Sequence, residues 1–148
     1  MKPGEINTTI VGNLPCDPEL RFTQSGDPVV SFSVGVTPRS FDKAANEWKD
    51  GETSWVRCVA WRRLAEHIAA SFAKGTRVVV AGRFAERRYE DKEGDKRSTW
   101  ELTVDAAGPD LTFAEATVKK VDRVHQSPPE DDPWATEAPP NQPEEAPF

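Results

Sequence analysis

Between Ser54 and Trp61 the chain reads SWVRCVAW, and strict alternation sorts this run by size and charge. In an extended strand Trp55, Arg57, Val59 and Trp61 share one face, and Val56, Cys58 and Ala60 share the other. The small apolar face suits a barrel interior. The opposite face then offers two indole rings with a guanidinium between them. Such rings stack on nucleobases, and such a cation meets phosphate or stacks on a base. The reverse orientation is also open, with both Trp rings in the core and the small residues outside. It would carry Arg57 inside with them, at a large desolvation cost.

Other residues extend this chemistry. Phe41 follows Arg39 and Ser40 in a polar loop, where a buried ring is not expected. Tyr89 comes after Arg87 and Arg88 at the mouth of a hairpin. Arg62, Arg63, Lys43, Lys49, Arg83, Lys96 and Arg97 supply further cations. Trp100 shares a face with Ser98 and Leu102 and reads as core, whereas Trp48 fits either environment. His67 and His125 are the only histidines and there is no Cys-x-x-Cys, so no metal site is expected. The run GDKRST lacks the upstream glycine of a phosphate-binding loop. No nucleophile and base are paired by motif. The sequence reads as a binding protein, not an enzyme, with no cofactor.

The elements that must position these residues follow from periodicity. Residues 6–11 alternate weakly before Gly12 and Asn13. Residues 29–36 alternate cleanly, with Val30, Phe32, Val34 and Val36 on one face. Residues 62–72 break the period of two: Leu64, Ile68 and Phe72 recur at helical spacing, and Lys74-Gly75 ends the helix. Residues 77–89 form a strand bent near Gly82. Residues 91–95 turn around Gly94, residues 98–104 return, and residues 116–121 supply a last short strand. The class is all-β with one short helix. A helix between the third and fourth strands is the layout of the OB-fold, a five-stranded Greek-key barrel. A small antiparallel sandwich is the alternative.

The net charge of −6 argues against a nucleic-acid partner until the chain is divided. Residues 1–124 hold all 19 Lys and Arg and 19 of the 25 acids, so this domain is neutral. Residues 125–148 hold six acids and no Lys or Arg, and carry the entire net charge. They are Pro-rich and lack hydrophobic periodicity, so they read as a disordered tail. Cys16 and Cys58 are the only cysteines, which suggests reduced thiols in the cytoplasm. No apolar run approaches the ~20 residues of a membrane span.

Several motifs together resemble the bacterial single-stranded DNA-binding protein family. They are Gly12-Asn13-Leu14, Asp17-Pro18-Glu19-Leu20-Arg21, and Thr23 with Gly26. They continue through the run from Trp55 to Trp61 with Leu64-Ala65-Glu66, then Lys74-Gly75 and Gly82-Arg83. Thr37-Pro38-Arg39 and the run from Glu47 to Glu52 give it an actinobacterial flavour. The resemblance implies an OB-fold, commonly a homotetramer, that stacks single-stranded DNA on aromatics at Phe41, Trp55, Trp61 and Tyr89. Arg39, Arg57, Arg62 and Arg88 would serve the phosphates. It also implies that the tip Glu144, Glu145, Ala146, Pro147 and Phe148 recruits DNA replication, recombination and repair proteins. Here Glu stands where Asp is common, and Ala146 replaces a larger apolar residue. Rival readings are an OB-fold protein-interaction or replication-restart factor with weak DNA binding, and a small RNA-binding barrel.

Overall fold

The computed structural model describes residues 2–121. Within them lie β1 (Ile6–Asn13), β2 (Glu19–Phe22), β3 (Pro28–Val36), β4 (Arg39–Asp42), β5 (Glu47–Asp50), β6 (Ser54–Trp61), α1 (Arg62–Ser71), β7 (Arg77–Glu90) and β8 (Lys96–Pro109). The strands pair in the order β1-β7-β8-β6-β3, and β1 closes back on β3 at Asn13 and Gly35. This is the five-stranded OB barrel, with α1 between its third and fourth strands. Its β6–β8 contact is parallel and the other pairings are antiparallel. The acidic tail, including residues 144–148, lies outside the described residues. No helix among the described residues is long and apolar enough to cross a membrane.

Alternation dictates the interior. Val30, Phe32 and Val34 from β3, Cys58 and Ala60 from β6, Val78 and Val80 from β7, and Leu102 and Val104 from β8 are all buried. Helix α1 closes the barrel with Ala65 and Ile68, and Phe72 just beyond it meets Phe32 edge-on at 6.0 Å. The backbone passes from β6 into α1 without a loop. Arg62 makes that turn in the left-handed region (φ 59°), which costs a non-glycine residue free energy. At Gly82 the pairing of β7 with β8 shifts register, and a Cβ there would collide with the Thr103 carbonyl. The bend expected near Gly82 is therefore a bulge that only glycine fits.

Four features depart from the sequence reading. β2 was not anticipated, because Glu19 to Phe22 are all exposed and leave no one-sided pattern. The segment around Phe41, read as a loop, is a hairpin of β4 and β5. Its loop is closed by Asp42, whose carboxylate accepts from the Ala44 and Ala45 N–H groups, and by Asn46 in the left-handed region (φ 53°). Residues 116–121 form no strand: the barrel is already closed by β1 and β3, and Val118 is exposed. Trp100 does share a face with the buried Leu102, but it is 48% exposed. The pairing of β8 with β6 begins at Glu101, so Trp100 lies just beyond it and stacks on Phe84, at 5.2 Å.

Removing one ring of the Phe32–Phe72 contact leaves a cavity at the helix–barrel junction. Phe32→Ala is expected to lower the unfolding free energy by about 3–5 kcal/mol in denaturant titration. A loss below 1 kcal/mol would mean that the junction is not packed as described.

Candidate nucleic-acid interface

Cys58 and Ala60 are wholly buried, so the pleat turns the other side of β6 outward. Trp55 is 63% exposed and Trp61 48%, while Val59 between them is covered by its neighbours. Of the two orientations open in the sequence, the structure takes the one with the rings outside. The register extends this face across the barrel. Val29, Ser31, Ser33 and Gly35 on β3 stand opposite Trp61, Val59, Arg57 and Trp55. On the other side, Glu101 of β8 stands opposite Arg57. A Cβ on Gly35 would come within 2.8 Å of the Trp55 ring, so the missing side chain lets the indole lie over β3. Gly35 is thus a positioning residue. Its place opposite Trp55 was hidden until the β3–β6 register was known.

Behind the rings lies a cationic floor. Arg57 and Arg87 both approach the Glu101 carboxylate, at 3.4 Å and 3.6 Å, and both remain about half exposed. These three residues line a shallow groove of about 600 Å³ with Arg21, Val59 and Trp61. An adjoining hollow of about 320 Å³ brings the same three together with Tyr89 and Thr99. The sheet therefore gathers Trp61, Arg57 and Tyr89 along one connected surface, with Trp55 on the same strand. The parity of β7 separates the two neighbouring arginines. Arg87 stands on the Tyr89 face, whereas Arg88 points to the other side and pairs with Glu86 at 3.8 Å. Arg87, named in the sequence only as a neighbour of Tyr89, lines the hollow beside it, and Arg88 does not; pairing Arg87 with Tyr89 by alternation would have found it.

The remaining candidates sit elsewhere. Phe41 is on the β4–β5 hairpin, edge-on to Trp48 at 5.5 Å, and Arg39 lies 5.9 Å over that indole while paired with Asp50 at 3.0 Å. Lys49 pairs with Asp42 at 2.8 Å, and this cation with the Ala45 and Ala44 N–H groups holds the Asp42 carboxyl below its ordinary range. Arg97 is likewise held by Asp91 at 2.7 Å, as part of the β7–β8 turn. Arg62 is exposed at the strand–helix junction and makes no ion pair among the described residues. Asp91, Glu93 and Asp95 cluster at the hairpin tip, where Asp91 accepts from the Glu93 and Asp95 N–H groups and from Arg97. That carboxylate serves the turn.

The Single-strand binding protein family model matches residues 6–111. A single-stranded DNA-binding protein of Paenarthrobacter nicotinovorans is 46% identical, covering 93% of this chain and 91% of that protein. One from Mycobacterium leprae is 51% identical, over 81% of this chain and 71% of its own length. In three dimensions the chain is similar to a crystal structure of the small single-stranded DNA-binding protein from Streptomyces coelicolor. That match has a TM-score of 0.62 and 36% identity, and covers 73% of this chain and 96% of that one.

The orientation of β6 has a direct chemical readout. Burial pushes the Cys58 thiol up to about 12, and the nearby Glu101 charge adds to the rise, while Cys16 is exposed. A thiol reagent at pH 8 is expected to modify one cysteine per native chain, Cys16, and both after denaturation. Rapid labelling of Cys58 in the native protein would contradict the inward placement of this face.

Proposed function

The chain belongs to the single-strand binding protein family, and from that premise we propose that it binds and protects single-stranded DNA without regard to sequence. One observation carries the reading: Trp55 and Trp61 stand exposed on one strand with Arg57 between them. Every base has a π-face, so stacking accepts any of them. Arg57 and Arg87 meet phosphates, with Tyr89 a further platform on the same surface. Phe41 and Arg39 reach DNA from the β4–β5 hairpin, and Arg62 from the helix junction. Arg88 contacts DNA only where the strand wraps to the far side of the β7–β8 hairpin. Binding weakens as salt rises, because each neutralised phosphate releases counterions.

The protein works in the cytoplasm as a homotetramer around which DNA wraps, in replication, recombination and repair. Residues 1–124 form the DNA-binding domain and residues 125–148 an acidic, Pro-rich arm. Its tip recruits DNA-metabolism proteins: the Phe148 ring fills an apolar pocket, and Glu144 and Glu145 suit a basic rim. The chain is a binding protein, not an enzyme, and needs no cofactor.

Each stacking ring contributes roughly 1–3 kcal/mol. The double variant Trp55→Ala, Trp61→Ala should therefore lose at least about thirtyfold in oligo-dT affinity while its circular dichroism stays native. Unchanged affinity would remove the stacking face from the mechanism. Deleting residues 144–148 should leave oligo-dT affinity intact and abolish co-purification of replication and repair proteins. Survival of that capture would relocate the docking site.

A further inference from the structure

An acid stands at the centre of the cationic floor. Glu101 faces Arg57 across the β6–β8 pairing and Ala85 across the β7–β8 pairing, so it sits on the middle strand of the three. Its side chain is only 12% exposed. One carboxylate oxygen, Oε2, approaches both arginines, 3.4 Å from Arg57 Nε and 3.6 Å from Arg87 Nη1. The same oxygen is buried and accepts no hydrogen bond among the described residues. The contacts are thus Coulombic and longer than a well-formed charge-assisted hydrogen bond. The other close pairs on this domain differ. Arg77 with Asp110, Arg97 with Asp91, and Lys49 with Asp42 lie at 2.6–2.8 Å and fasten turns or strand ends.

We propose that Glu101 is a built-in phosphate mimic, holding the Arg57–Arg87 pair until a DNA phosphate takes its place. The inference rests on the single-strand binding reading of this face. Without Glu101, two guanidinium groups would repel each other across the groove. With it, they are held close together and their charge is half cancelled. A backbone phosphate arriving from solvent finds both cations accessible. Unlike Glu101, it is free to adjust its distance and form short bonds to each. The arginines then exchange a long buried partner for a close one. Glu101, left behind and negative, lowers the net gain. Its consequence is a weaker and more readily reversed grip on DNA than the rings and cations alone would give.

The test uses the full chain and oligo-dT, with affinities measured across a salt series for the unsubstituted protein, Glu101→Gln and Glu101→Thr. Both variants remove the charge, the first at nearly constant shape and the second with a residue suited to a strand. Tightening of roughly two- to fivefold at about 0.1 M salt is expected in each. The slope of log affinity against log salt should steepen by about 0.7, the release expected for one more cation free to meet a phosphate on a single strand. Glu101→Asp keeps the charge and should retain the original slope. In an Arg57→Ala, Arg87→Ala background, Glu101→Gln should bring no gain. Affinity that is unchanged or lower with native circular dichroism overturns the exchange, and so does loss of native structure in both neutral variants, which would make Glu101 a folding residue. Failure of the unsubstituted chain to bind oligo-dT would instead overturn the function on which the exchange rests.

Discussion

Strand β6 turns Cys58 and Ala60 into a fully packed interior, and the pleat then leaves Trp55, Arg57 and Trp61 no direction but outward. The rest of the surface is arranged by that constraint. β3 on one side supplies Ser31, Ser33 and Gly35, small residues over which large rings can lie. β8 on the other side supplies Glu101, and β7 beyond it supplies Arg87 and Tyr89. A slip of β6 by one residue would bury both indoles and expose the thiol, exchanging the whole face for another. The closed barrel resists such a slip, since β6 is paired along both edges.

Charge on this surface is managed pair by pair. Many cations near the rings already have an acidic partner, and the closest pairs fasten turns, so a simple count of Lys and Arg overstates what is free for phosphate. Arg57 and Arg87 differ, because they share one covered acid and stand further from it than the closest pairs do.

The barrel strands were legible wherever one face is buried. Residues 29–36 and 54–61 alternate because one side of each meets the core, and residues 62–72 show helical spacing because Ala65 and Ile68 do. β2 and the β4–β5 hairpin were not legible, since nothing buried marks their period; Asp42 and Asn46 were the available turn signals. Trp100 misled because alternation gives a face, not what lies opposite it. At the candidate site, Trp55, Arg57 and Trp61 followed from a single strand. Gly35 and Glu101 did not, because each takes its place from register with a neighbouring strand, whereas Arg87 was within reach of alternation along its own strand. Phe41 and Tyr89 stood out by sequence context and leaned on the family resemblance, and the structure brings only Tyr89 into the hollow lined by Arg57.

The central claim is that exposed indoles on β6 stack directly on the bases of a single strand. It is tested most directly by following intrinsic tryptophan fluorescence while oligo-dT is titrated into the full chain at low salt. The account predicts strong quenching that saturates at a fixed stoichiometry, and a much smaller response to duplex DNA of the same length. Fluorescence that stays unchanged when binding is complete, or an equal response to duplex, would contradict it.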